Sequence, residues 1–82
     1  MNEERDQHSS YPEIFKHVSP REMQVIYLLI LGRTTREIGA QLGLSPHTVN
    51  QYKVAVYEKL HVKGAVALVR HAVLDGWLGD IV

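Results

Sequence analysis

The feature that most constrains this 82-residue chain is a series of helix-start and helix-stop signals placed close together. Each start signal is a residue able to cap a helix N-terminus: Ser19, Thr34 and Ser45. The first two are followed three residues later by a glutamate, which completes a capping box. The first and third are followed by proline, which suits the first position of a helix. Glycines at positions 32 and 43 suit the left-handed residue that ends a helix.

The apolar spacing agrees with this division and predicts an all-α fold of four helices. After Ser45, apolar and aromatic residues recur at three- and four-residue steps as far as Leu60. A fourth helix is predicted over Ala65 to Leu74, ending at Asp75-Gly76. No stretch alternates apolar and polar residues over the length of a strand, so no sheet is expected.

Residues 1–18 differ from the remainder and are expected to form an acidic, partly disordered leader ahead of one domain over residues 19–82. The chain as a whole carries nine basic and nine acidic side chains, giving a formal net charge of zero. Residues 1–22 carry a net charge of −2, whereas residues 33–70 carry +4. Such asymmetry is typical of chains whose basic part meets an acidic partner.

The first predicted helix is apolar nearly all round, so it needs covering on more than one side. We therefore expect Ile14, Phe15 and Val18 to form a helical turn after Pro12 and to dock on this helix. Trp77 is expected to close the bottom of the core.

Composition excludes several classes of protein. Without cysteine there is no disulfide scaffold, thiolate nucleophile or Cys-ligated zinc. The longest apolar run, Val25 to Leu31, is far shorter than the roughly 20 residues a membrane span needs. The polar N-terminus is unlike a secretory signal, so we expect a cytoplasmic protein. The five histidines lack metal-binding spacing, and no nucleophile pattern or phosphate-binding glycine loop occurs, so neither an enzyme nor a cofactor is expected.

The most informative segment joins the second and third predicted helices through a tight glycine turn at helix-turn-helix spacing. The positions that must be apolar for the helices to pack across the turn are Ile38, Leu42, Leu44, Val49 and Tyr52. Position 39 is expected to require a residue as small as glycine because the third helix packs closely against it. Gly43 is expected to supply the positive φ of the turn.

With its flanks included, this segment resembles the LuxR-type (GerE-like) DNA-binding domain of bacterial transcriptional regulators over about residues 19–78. The resemblance is carried by Ser-Pro-Arg-Glu at the first helix, Thr-x-Arg-Glu-Ile at the second and Leu-Ser-x-x-Thr-Val at the third. Lys59-Leu60 followed by Val62, and Ala72 with Gly76, complete the match. The resemblance implies a four-helix domain whose third helix enters the major groove of double-stranded DNA and whose fourth helix forms a homodimer contact.

The third helix is expected to bury Val49, Val56 and Leu60 and to present its opposite side to solvent. That side carries His47, Gln51, Val54 and Glu58, with Asn50 beside them. The resemblance places base reading at Asn50, Gln51 and Val54. Asn and Gln bind adenine and valine contacts the thymine methyl, so an A·T-containing half-site is predicted. The residues expected to lie at phosphates are Arg36, Ser45, Thr48, Lys53 and Lys63.

The fourth helix is expected to bury one side and to dimerise through the adjoining one. The residues expected to pack on the core are Leu68, Val69, Ala72 and Val73. The residues expected to form the dimer face are Val66, Arg70 and Leu74.

The chain departs from the family pattern at three places. Asn50 stands where a basic residue is usual, Tyr52 where histidine is frequent, and Gly64-Ala65 where an Asn-Arg pair is common. Fewer cations predict weaker and less salt-sensitive DNA binding. Two functions stay open: a sequence-specific homodimeric transcription factor, or an interaction protein (anti-activator or co-regulator) that pairs with a larger LuxR-type regulator or docks on RNA polymerase.

Overall fold

The computed structural model describes residues 15–76, and this part of the chain folds into four α-helices. They are α1 (Pro20–Ile30), α2 (Thr35–Leu42), α3 (Pro46–Leu60) and α4 (Ala65–Leu74). No strand occurs among these residues. The predicted all-α, four-helix fold is therefore confirmed, whereas the expectations for residues 1–14, including Ile14, and for Trp77 lie outside the described residues.

The capping groups begin each of the first three helices as predicted. Ser19 Oγ accepts from the Glu22 N–H at 3.1 Å, and Glu22 Oε1 accepts from the Ser19 N–H at 2.8 Å. The equivalent pair at α2, Thr34 and Glu37, has distances of 3.1 and 2.9 Å. Ser45 Oγ caps α3 by accepting from the Thr48 N–H at 3.1 Å. Each cap satisfies an N–H group that the first helical turn would otherwise leave unpaired.

Helix α1 is the centre of the packing, since it contacts each of the other three helices. Its own inward residues, Val25, Ile26, Leu28 and Leu29, are almost completely buried. Phe15, 1% exposed, reaches the same core from the turn before α1, and Val18 packs at its edge. The predicted docking of Phe15 and Val18 on α1 is confirmed, and it supplies the extra cover that an almost wholly apolar helix requires.

The turn between α2 and α3 depends on two glycines. Gly43 has φ +73°, a left-handed conformation that L-residues rarely adopt, as predicted. A Cβ at Gly39 would lie 2.5 Å from the carbonyl oxygen of Leu44 but 3.5 Å from the nearest side-chain carbon of Val49. The expectation that α3 itself excludes a side chain from Gly39 is thus corrected: the backbone of the turn excludes it, and Val49 makes an ordinary contact.

The turn after α3 has an unusual left-handed residue. His61 has φ 58° and ψ 41°, and it is the one non-glycine residue with positive φ among those described. The N–H of Val62 donates to the Tyr57 carbonyl at 3.0 Å, which closes the helix end. Gly64, which precedes α4, is extended and leaves that helix without a side-chain cap.

Helix α4 buries a narrower stripe than the sequence analysis predicted. Leu68 and Ala72 are fully buried and Val69 is half-buried, but Val73 is 59% exposed. The expectation that Val73 packs on the core is wrong. At about 100° per residue, Val73 lies well to one side of the Leu68–Ala72 line, closer to Val66 and the solvent.

We predict that Gly39→Ala destabilises the protein although alanine is the better helix former. The added Cβ must displace the Leu44 carbonyl, which should cost about 1–3 kcal/mol in the free energy of unfolding, measured by urea denaturation. Gly64→Ala is the matched control, because Gly64 is extended and a Cβ there meets nothing within 4 Å. Equal midpoints for Gly39→Ala and the wild type would contradict this account of the turn.

Candidate nucleic-acid interface

Helix α3 is held by one side and presents the other to solvent. Val49 and Val56 are completely buried and Leu60 is 2% exposed. Asn50 and Gln51 are exposed, and Val54 is 57% exposed. The predicted division of α3 into a buried side and an open side is therefore confirmed. His47, Asn50, Gln51 and Val54 together line one shallow depression on the open side.

The hydroxyl groups at the start of α3 are engaged with each other. Ser45 Oγ accepts the Thr48 N–H and also donates to Thr48 Oγ1 at 3.1 Å. A hydroxyl has one proton to donate, so the Ser45 proton is used locally while Thr48 keeps its own. Both residues lie beside the positive end of the helix dipole, where an anion is favoured.

Two of the predicted phosphate cations lie together and one lies apart. Lys53 is half-buried and its Nζ donates to Thr35 Oγ1 at 3.0 Å, at the start of α2, where the exposed Arg36 follows. Lys63 is exposed in the turn after α3. The 15 residues of α3 span about 22 Å, so Lys63 is at the far end of this helix from Ser45.

A partly buried ion pair that the sequence analysis missed joins α3 to the start of α1. Lys59 Nζ is 2.8 and 3.0 Å from the two carboxylate oxygens of Glu22, and Glu22 is only 7% exposed. The same Nζ donates to the carbonyl of His17 at 3.0 Å. The two residues are 37 positions apart in the sequence, so no helical spacing predicts their pairing. The sequence showed Glu22 only as the glutamate of the capping box at Ser19.

The environment of Glu22 acts on its charge in two directions. Burial disfavours the carboxylate and would raise its pKa. The hydrogen bonds from Lys59 and from Ser19, together with the positive charge of Lys59, outweigh that burial and leave the Glu22 pKa below its ordinary value of 4.5. Elsewhere on α3, burial raises the pKa of the Tyr57 phenol, which therefore stays neutral at physiological pH.

A second groove runs along the flank of α3 that faces the start of α1. It is lined by Glu22, Thr48, Gln51, Tyr52 and Ala55.

Within residues 15–76, no group of three or more His, Cys, Asp or Glu side chains is placed to hold a metal ion. In the same range, no helix has both the length and the apolar character that a membrane span requires.

The outer face of α4 is apolar and exposed. Val66 is 77% exposed and Leu74 is 74% exposed, with the exposed Arg70 between them on the same face. Val73, expected in the core, joins this face and enlarges it. Three exposed large apolar residues on one ten-residue helix form a concentrated patch rather than scattered surface residues.

Comparison with known proteins now decides the family. The model of the family described as "Bacterial regulatory proteins, luxR family" matches residues 16–72. The chain belongs to this family. The luxR-family match begins at Lys16, in the turn that Phe15 anchors, and extends through α1, α2 and α3 into α4.

Individual luxR-family relatives agree with this assignment. The chain is 39% identical over 62 residues to the response regulator UvrY of Escherichia coli K12, covering 76% of this chain and 28% of that protein. It is 43% identical over 60 residues to the transcriptional regulatory protein UhpA of Salmonella typhimurium, covering 73% and 30% respectively. The response regulator GacA of Pseudomonas protegens is 35% identical over 68 residues, with coverages of 78% and 32%.

The matched region is a small part of each relative, since the chain spans about a third or less of their length. No solved structure matches the chain significantly. What the luxR-family assignment establishes is therefore the helix-turn-helix domain that the four helices form, and its members are classed as regulators rather than as enzymes.

We predict that Glu22→Gln lowers the free energy of unfolding by about 1 kcal/mol at pH 7, a modest value because Lys59 is 39% exposed on its side chain. A carboxyl group whose pKa is lower in the folded state than in the unfolded state stabilises the fold fully above the unfolded pKa of 4.5. This contribution of Glu22 is lost as the pH falls through its folded-state pKa. The difference between wild type and variant should therefore be constant above about pH 5.5 and shrink below pH 4.5.

Glu37→Gln is the matched control for this experiment, because Glu37 makes the same capping bonds at an exposed position on α2. Glutamine can replace glutamate in a capping box, so this control should lose little at any pH. If the difference in free energy of unfolding between the wild type and Glu22→Gln grows as the pH falls below 4.5, the stabilising role of the Glu22 carboxylate is contradicted.

Proposed function

We propose that this domain is the DNA-binding part of a sequence-specific transcriptional regulator, with α3 in the major groove. The observation that carries the proposal is the exposed edge of α3, where two amide side chains and one small apolar side chain stand side by side on a helix anchored by its opposite face. A B-DNA major groove admits one α-helix, and adenine and thymine present the groups that such side chains bind.

Base reading is assigned to Asn50, Gln51 and Val54. All three are exposed to solvent on the same side of α3, so no rearrangement of the core is needed for them to reach base edges. Each amide can bind adenine N6 and N7 through two hydrogen bonds, and Val54 can contact a thymine methyl. The expected site therefore contains A·T pairs in each half.

Phosphate binding is assigned to Arg36, Ser45, Thr48, Lys53 and Lys63. One phosphate contact at the start of α2 is supported by Lys53, whose ammonium has donors left after its bond to Thr35, and by the exposed Arg36, which follows Thr35 in the sequence. Thr48 supports a second contact at the start of α3, through its hydroxyl proton. Residues 15–76 carry eight basic and four acidic side chains, and this net charge of +4 favours a polyanion although the whole chain is neutral.

Homodimer formation is assigned to the outer face of α4, centred on Val66, Arg70 and Leu74. The exposure of these apolar side chains supports the assignment, and Val73 adds to the area available. A twofold contact across α4 would place two α3 helices about 34 Å apart, which is one turn of DNA.

A second candidate function is an interaction protein that uses the same face of α4 to pair with a larger luxR-family regulator, or that docks on RNA polymerase. The apolar patch on α4 favours it, as do Asn50 and Gly64-Ala65, where basic side chains are usual in the family. In this case the chain would bind DNA poorly alone and would change the DNA binding of its partner.

The test of DNA binding is a selection from random duplexes followed by affinity measurements at several salt concentrations. We predict half-sites with A·T cores and a binding constant that falls as the salt concentration rises, less steeply than in relatives with basic residues in place of Asn50 and Gly64-Ala65. Gln51→Ala should cost about 1–3 kcal/mol and relax the preference at one base pair. Lys53→Met should weaken all sequences alike and reduce the salt slope by about one unit.

Selected cores made only of G·C would contradict the base-reading assignment. Absence of binding by the chain alone, with complex formation upon addition of a larger luxR-family regulator, would favour the second candidate function.

The dimer face predicts that Val66→Glu combined with Leu74→Glu weakens binding to the two-half-site duplex far more than binding to an isolated half-site, since the two added charges weaken both but only the full site needs the dimer. Both side chains are exposed, so the helical circular dichroism and the unfolding midpoint should stay close to the wild type. Sedimentation of the DNA complex gives the number of chains bound. If two chains of the double variant bind the full site as tightly as the wild type does, this face is excluded as the dimer contact.

A further inference from the structure

The Glu22 carboxylate joins three separate parts of the fold. Its Oε1 accepts from the Ser19 N–H at the start of α1 and from Lys59 Nζ in the last turn of α3, both at 2.8 Å. Lys59 in turn donates to the His17 carbonyl, in the turn before α1. The acceptors of the Lys59 ammonium, two carboxylate oxygens and one carbonyl, match its three N–H groups. All three ammonium protons of Lys59 are therefore used within the protein, although its side chain is 39% exposed, and none is left for a phosphate.

These contacts lie where they can control the rotation of α3 about its own axis. Val49, Val56 and Leu60 lie along the buried line of α3, and the half-buried Tyr52 and Tyr57 pack against the core from its two flanks. Lys59 is bound on one flank of that line, and Lys53 is bound to Thr35 on the other flank. The ion pair of Lys59 with Glu22 therefore adds a polar restraint on the roll of α3 to this apolar packing.

Glu22 also borders the surface assigned to DNA. It lines the flank groove together with Gln51, and Thr48 lies in the same groove. A change in the roll of α3 on this flank would move the Gln51 amide relative to a bound base pair. Bidentate contacts to adenine tolerate little misalignment because both hydrogen bonds must be made at once.

We propose that Glu22 is a positioning residue for DNA binding: through Lys59 it sets the roll of α3 and so the direction of the base-reading side chains. The proposal rests on the DNA-binding function proposed above. It assigns to Glu22 a role in affinity that is separate from its role in stability and that does not involve contact with DNA.

The sign of the effect separates this role from simple electrostatics. Removing a negative charge from a domain that binds a polyanion should by itself strengthen binding. Loss of positioning should instead weaken it. Glu22→Gln removes the charge and keeps the capping geometry, so the two effects predict opposite changes in the dissociation constant.

The experiment measures affinity for the selected duplex at a temperature where circular dichroism shows every variant fully folded. Glu22→Gln and Lys59→Met should each bind about three- to tenfold more weakly, with the wild-type salt slope. Lys59→Arg, which keeps a cation able to bind a carboxylate, should retain most of the affinity. The control Glu37→Gln, with the same change in charge at the exposed cap of α2, should bind as tightly as the wild type or more tightly.

Wild-type or tighter binding by Glu22→Gln would overturn the positioning role while leaving the proposed function in place. A salt slope reduced by about one unit in Lys59→Met would also overturn it, because Lys59 would then be a phosphate ligand. Absence of salt-dependent, sequence-preferring binding by the wild type would overturn the proposed function and this inference with it.

Discussion

The packing of α3 along Val49, Val56 and Leu60 is the constraint on which the rest of this structure depends. These three side chains are buried against α1 and its neighbours, and their burial obliges the opposite side of α3 to face solvent. Each large apolar side chain removed from water contributes about 1.5–3 kcal/mol, a large share of the stability of so small a domain. The open edge of α3 is thus a consequence of the core.

The charged residues refine what the core establishes. The whole chain is neutral, but residues 15–76 carry a net charge of +4. The charge of this region, rather than that of the whole chain, is the one that matters for binding a polyanion. Some cations serve the protein itself: Lys59 is bound to Glu22 and His17, and Lys53 to Thr35. Lys59 is therefore not counted among the groups expected at phosphates, and Asn50 and Gly64-Ala65 in place of basic groups predict a weaker salt dependence.

Local signals predicted most of the fold, and contacts between distant residues account for what was missed. The caps at Ser19 and Thr34 and the left-handed Gly43 act within a few residues, so their patterns could be recognised directly. The pairing of Glu22 with Lys59 spans 37 residues and depends on how α1 meets α3. Val73 was placed in the core because it is apolar, but α4 is covered on one narrow side only. The open side of α3 was predicted because it follows from helical periodicity, whereas its flanking groove was not.

The most direct test of the central claim is a nuclear magnetic resonance titration of the 15N,13C-labelled chain with a selected duplex. If α3 enters the groove by its open edge, the largest shifts should fall on the backbone amides of residues 47–54 and on the side-chain amides of Asn50 and Gln51. The core line from Val49 to Leu60 should keep its packing, so methyl signals of Val56 and Leu60 should move little. Largest shifts on α4, with Asn50 and Gln51 unchanged, would contradict the account.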